Sequence, residues 1–219
     1  MNIPPYFNQE KQSTCSLAVL RMCLQHFGIT VSETELEEKV IGDYGKKFSN
    51  IWNPTIAKLA CEYGIHTILS AEWPVLKPDI LPYAVKEYRK NPQTFDVKKY
   101  ENPDDADSLP EPLPLAYKEL FQAVEKGCEV EYGNLSEEKI KKLLSDGYLM
   151  QTSIKLHLMY PGRGRGFHSI LIYKIDRGEV YYHDPFRGKS LHCSMEHLLK
   201  ATTDVGVFIV FFFGGRNQP

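Results

Sequence analysis

Long hydrophobic runs, an excess of one charge and paired cysteines are all missing from this chain of 219 residues. The longest apolar stretch, Val205 to Phe213, is too short to cross a bilayer as a helix. Met1 to Gln12 is polar and proline-containing, so no secretory leader is expected there. With 26 basic and 28 acidic side chains the formal charge is −2, which gives no global field to recruit nucleic acid or anionic lipid. The five cysteines, Cys15, Cys23, Cys61, Cys128 and Cys193, are odd in number, scattered and without a CxxC pair, against both a disulfide framework and a structural zinc site. A phosphate-binding P-loop pattern is absent as well. These absences predict a soluble cytoplasmic protein with free thiols, no nucleic-acid partner and no membrane insertion.

What is present is a chain with 42% hydrophobic and 25% charged residues, apolar enough for one compact domain over 1–219. From Cys15 to Phe27, the residues Cys15, Ala18, Val19, Met22 and Cys23 share one helical face and Leu17, Leu20, Leu24 and Phe27 another. Only Ser16, Arg21 and Gln25 are polar, so the pattern predicts a helix buried on most sides and stopped by Gly28. Ser32 with Glu35 forms a capping box for a second helix, through about Val40. Asn53-Pro54 starts a third, Thr55 to Tyr63, ended by Gly64. The first 70 residues therefore read as a helical lobe.

Eight of the fourteen prolines fall between Trp73 and Pro114, with Asp104, Asp105 and Asp107 among them. This stretch, 73–114, reads as an excursion or lid with short helical pieces, either a place for substrate selection or a decorative insertion. Helical pattern resumes from Leu115 to Lys126, and Ser136 caps another helix to about Ser145, closed by Gly147. The period then changes to two. Leu149 to Met159, Phe167 to Ile175 and Glu179 to His183 read as strands, the last two joined as a hairpin by Asp176-Arg177-Gly178, and Val205 to Phe213 reads as a buried strand. The expected class is α+β, with an N-terminal helical lobe, a C-terminal antiparallel sheet lobe and a cleft between them.

The chemistry-bearing residues fall at informative places on this map. Cys15 sits in the first turn of the buried helix, where the macrodipole and free N–H groups favour a thiolate and can donate to an oxyanion. Gln9, six positions earlier, can supply a second donor through its side-chain amide. His168 starts one strand and Asp184 ends the next, so the hairpin can bring imidazole and carboxylate side by side. Together the four residues compose a thiol-nucleophile site.

Several short segments resemble one family: Pro5-Tyr6-Phe7-Asn8-Gln9, Cys15-Ser16-Leu17-Ala18, Leu144 to Tyr148, Phe167-His168-Ser169-Ile170 and His183-Asp184-Pro185. They are similar to the papain-like superfamily, and within it to the peptidases that remove double-glycine leaders from bacteriocins and their stand-alone relatives. The resemblance implies a papain-like fold with Cys15 as nucleophile, His168 as general base, Asp184 as its orienter and Gln9 as the oxyanion residue. It implies a peptide or acyl-amide substrate and an acyl-enzyme resolved by water, or by another nucleophile in an acyltransferase or transpeptidase. A pseudo-peptidase that only binds peptides is the non-enzymatic alternative, and no cofactor is implied. This chain departs from the family around the nucleophile, with Thr14 where an acidic residue is usual and Ser16 where glycine is usual.

Other features have simpler readings. Cys23, further along the same helix, is a small core residue. His183, His192, Cys193 and His197 cluster in sequence, and Cys193 and His197 would lie one turn apart if a helix begins that early; no second close pair completes a tetrahedral set, so no metal is expected. Gly162-Arg163-Gly164-Arg165-Gly166, just before His168, could grip a carboxylate or phosphate, but reads more simply as a flexible return to the cleft.

Overall fold

In the computed structural model, residues 2–44, 51, 53–71, 81–91, 113–132, 136–202 and 208–214 are described. The first three helices are α1 (Cys15–His26), α2 (Glu33–Tyr44) and α3 (Asn53–Glu62). Both stop signals operate as the sequence indicates, with Gly28 at φ +87° and Gly64 at +76°. The α2 capping box is reciprocal: the Glu35 N–H donates to Ser32 Oγ at 3.1 Å, and the Ser32 N–H donates to Glu35 Oε2 at 2.7 Å.

The remaining elements are β1 (His66–Ala71), α4 (Leu81–Lys90), α5 (Leu113–Glu125), β2 (Glu129–Tyr132), α6 (Glu137–Ser145), β3 (Leu149–Lys155), α7 (Leu156–Met159), β4 (Phe167–Asp176), β5 (Glu179–Asp184), β6 (Gly188–Ser194), α8 (Met195–Thr202) and β7 (Phe208–Phe213). Seven strands form one sheet in the order β2-β1-β7-β3-β4-β5-β6. Every pairing is antiparallel except β1 with β2, which are parallel. That pair needs a long crossover, and α4 and α5 lie within it. The fold is α+β, as expected.

The structure departs from the sequence-based expectations in four places. The first 70 residues are not wholly helical, because His66-Thr67-Ile68-Leu69-Ser70 pairs with β7 along its length; a short apolar run has no period that separates strand from helix. The strand expected over Leu149 to Met159 ends at Lys155, where Leu156 N–H donates to Gly166 O at 2.9 Å and Tyr160 N–H to Leu156 O at 2.8 Å, closing a single helical turn. Strand β6 has a largely exposed, polar sequence and gives no hydrophobic signal, as suits a sheet edge. Because β6 runs to Ser194 and α8 begins at Met195, Cys193 and His197 share no helical face. Most of the proline-rich excursion, residues 72–80 and 92–112, and the start of the last predicted strand, 203–207, lie outside the described residues.

The sheet separates two cores. Leu69, Leu149, Leu171, Val210 and Phe212 pack with α1, α3 and α5, while Ile68, Met150, Ile170, Ile172 and Phe211 pack with α6 and α8. Consecutive residues of each strand divide between the two sets, which is the period of two made physical. Helix α1 lies against β4 at the centre of this arrangement, with residues 16–20 and 22–24 buried. That contact fixes the helix start against the start of the strand.

Candidate active site

Cys15 is the first residue of α1, and Thr14 gives that helix no side-chain cap. The Thr14 hydroxyl is turned back instead, donating to Lys11 O at 2.9 Å and accepting from Lys11 N–H at 3.1 Å. The helix start therefore has no side-chain capping oxygen, the condition under which first-turn N–H groups can receive an anion.

His168, 8% exposed, and Asp184, fully buried, come from β4 and β5 as the hairpin predicted. Arg177 and Gly178 turn that hairpin with φ of +51° and +84°. His168 Nε2 bonds Asp184 Oδ1 at 2.7 Å, and the imidazole also hydrogen-bonds the Cys15 thiol. Asp184 Oδ1 also accepts the Phe186 N–H at 2.8 Å and the Arg187 N–H at 3.0 Å, and Oδ2 accepts the Tyr160 hydroxyl at 2.5 Å.

These contacts set the charges. Burial raises the Cys15 thiol, but hydrogen bonds from His168 and Ser169 outweigh it and the net shift is downward. Burial likewise lowers His168, yet bonds to Asp184 and Cys15 carry it up to about 9. Against its own burial, Asp184 is held below the usual carboxylate range by His168, Tyr160 and the Phe186 N–H. The directions favour a thiolate beside an imidazolium, with the carboxylate ionised behind it.

Ser16, which stands where the resembled family has glycine, finds a partner next to His168. Its Oγ lies 2.8 Å from Ser169 Oγ, a buried hydroxyl pair linking the nucleophile helix to the histidine strand. Residues 4–9 form a second link, strapped over the end of β5. His183 Nε2 meets Pro4 O at 2.9 Å, the Gln9 N–H donates to Pro185 O at 2.9 Å, and the Tyr6 hydroxyl, whose shorter bond is to Asn8 Oδ1 at 2.6 Å, lies 3.2 Å from Asp184 O. Ser190 N–H donates to His183 Nδ1 at 3.0 Å, so the imidazole is the neutral Nε2–H tautomer, and burial lowers its pKa.

The four predicted site residues have different fates. Cys15, His168 and Asp184 form one contiguous chain. Gln9 is anchored beside it by its backbone, but its amide donates to Lys11 O at 2.8 Å and Gln12 O at 3.1 Å, and its Oε1 is buried without a partner. Arg163 and Arg165 are exposed. Of the histidines weighed as ligands, His192 Nδ1 lies 3.1 Å from Glu179 and His197 Nε2 lies 3.2 Å from Met159 O. Among the described residues no group of three or more His, Cys, Asp or Glu is arranged to hold a metal ion, and no helix is long and apolar enough to cross a membrane. Sequence reasoning quoted Tyr6, Ser16, Ser169 and His183 in the segments around the site without giving them contacts, and it missed Tyr160. The strand period could have flagged Ser169, whereas Tyr160 follows a helical turn that the period did not reveal.

The model of the Peptidase_C39 like family matches residues 2–78, a stretch that includes Gln9 and Cys15 and ends before His168 and Asp184. No curated protein matches the sequence. Among solved structures, the crystal structure of a candidate C39-like peptidase from Bacillus anthracis is similar with a TM-score of 0.52, covering 97% of this chain and 98% of that one. The two sequences are 12% identical, so this likeness is one of fold. The chain thus resembles the C39-like family in sequence over residues 2–78, and shares the fold of the C39-like structure over nearly its whole length.

Proposed function

We propose that this protein is a cysteine peptidase-like hydrolase that cleaves a peptide or amide bond through a Cys15 acyl-enzyme. The observation that carries the reading is the unbroken chain from the Cys15 thiol through His168 to the buried Asp184 carboxylate, at the start of a helix without a side-chain cap. Cys15 thiolate adds to the substrate carbonyl, and the first-turn N–H groups receive the oxyanion. His168 gives its proton to the departing amine as the C–N bond breaks. Water, deprotonated by His168, then cleaves the thioester, returning the acid product and the resting pair of Cys15 thiolate and His168 imidazolium. Asp184 keeps the imidazole oriented and offsets its positive charge.

Gln9 is the second oxyanion donor in this scheme. Both of its amide hydrogens are engaged with the carbonyls of Lys11 and Gln12, so it acts when the longer bond, 3.1 Å to Gln12, yields to the developing oxyanion. The experiment is turnover of a defined peptide mixture, followed by mass spectrometry, with wild type and Cys15→Ala. Loss of cleavage in a folded Cys15→Ala protein is expected; cleavage at the wild-type rate would remove Cys15 from the mechanism.

A further inference from the structure

The two oxygens of the Asp184 carboxylate have unequal surroundings. Oδ1 takes three N–H groups, those of His168, Phe186 and Arg187. Among the described residues Oδ2 takes one partner, the Tyr160 hydroxyl at 2.5 Å. A phenol has a single proton, and here it is committed to Asp184. The Tyr182 hydroxyl, 3.4 Å from that of Tyr160, is beyond good O–H···O range and makes at most a weak contact. Burial first, and then the bond to Asp184, push the Tyr160 phenol well above its ordinary value, so it stays a neutral donor. The Arg187 guanidinium lies 4.0 Å over the centre of the Tyr160 ring. A cation on the π face draws electron density from the phenol and makes its O–H a better donor.

We infer that Tyr160 is a positioning residue that acts on His168 through Asp184: its hydroxyl occupies Oδ2 and draws negative charge away from the oxygen that faces the imidazole. The inference rests on the proposed reading of Cys15, His168 and Asp184 as the reacting assembly. Its physical content is a competition. Each donor to the carboxylate stabilises the anion, and a carboxylate already stabilised by a short phenol bond stabilises a neighbouring imidazolium less. The two backbone N–H groups on Oδ1 hold the carboxylate in place whatever stands at position 160. Loss of the Tyr160 hydroxyl therefore leaves Asp184 against His168 and returns charge to that bond. Tyr160 keeps the imidazolium from binding its proton too tightly to give it to a leaving group.

The other titratable or charged groups around this cluster are Cys15 on α1, Tyr6 in the N-terminal strap, Tyr182 on β5, Arg187 in the following turn, Cys193 on β6 and His197 on α8. All of them are present unchanged in the Tyr160 variants, and only Tyr182 is replaced, in one control. The experiment follows the ring carbon signals of histidine-labelled protein by NMR against pH, with the His168 signal assigned by its loss in His168→Ala. In Tyr160→Phe the His168 midpoint is expected to rise by about half a pH unit, a threefold change in its ionisation constant. Site-specific 3-fluorotyrosine at position 160, a more acidic phenol of nearly the same bulk, should move it down; this arm decides the matter if Tyr160→Phe fails to fold. Tyr182→Phe, which leaves the carboxylate contacts intact, should match wild type. An unchanged or lowered midpoint in Tyr160→Phe, or an unchanged or raised one with fluorotyrosine, overturns the inference. A wild-type His168 midpoint near the ordinary 6.5 overturns the reading of the site itself, and the inference with it.

Discussion

The hydroxyl pair between Ser16 and Ser169 offers a sharp test of how the two sides of the site are joined. The oxygens are 2.8 Å apart, and the residues are 5% and 3% exposed, so water cannot readily replace either partner. Ser169→Ala leaves Ser16 Oγ buried without its partner, which costs about 1–3 kcal/mol. Ser16→Ala is milder, because the Ser169 hydroxyl retains its bond to the Cys15 thiol. In Ser16→Ala/Ser169→Ala both polar groups are gone and no orphan remains, so the double variant should be more stable than the sum of the single losses implies, by about 1 kcal/mol. Urea unfolding of the four proteins closes the cycle. A second readout separates packing from chemistry: Ser169→Ala should raise the pH at which Cys15 is alkylated, since it removes a donor to the thiolate, while Ser16→Ala should move it less. Additive stability losses, within about 0.5 kcal/mol, would refute the pairing.

Three further outcomes are expected. Gln9→Ala should lower turnover about a hundredfold while leaving substrate affinity nearly unchanged, as measured by steady-state kinetics; a loss in affinity alone would place Gln9 in substrate recognition. His183 is neutral in the fold and burial depresses its pKa, so its contribution to stability is full above the unfolded value of about 6.5 and is lost as pH falls through that value toward the folded one. Wild type should therefore lose up to about 1.4 kcal/mol per pH unit across that window relative to His183→Gln, and parallel stability curves by urea unfolding would count against it. Gly178→Ala should destabilise the β4–β5 hairpin by about 1 kcal/mol through its φ of +84° alone, since a Cβ there meets no atom; thermal unfolding with no loss would contradict the strained turn.

Legibility in the sequence followed local signals. Helix α1, the Ser32–Glu35 box, the Ser136 cap and the β4–β5 hairpin were readable because each depends on a few adjacent residues. The triad was readable for the same reason: a helix start, a strand start and a strand end each place one side chain. Strand β1 was missed because its pairing with β7 joins segments some 140 residues apart, and β6 because a polar edge strand has no buried face to impose a period. The contacts of Tyr160 and of the Ser16–Ser169 pair arise only when α7, α1, β4 and β5 come together; the strand period marks the face of Ser169 but not its partner.

Cys15 and His168 are expected to rest as a thiolate and an imidazolium, which the opposed directions of their shifts favour. The pH dependence of iodoacetamide labelling of Cys15, read by peptide mass in wild type and in His168→Ala, tests it most directly. Labelling should be fast well below pH 8 in wild type and lose that speed in the variant. Slow labelling in both proteins, rising only near the ordinary thiol value of about 8.5, would contradict it.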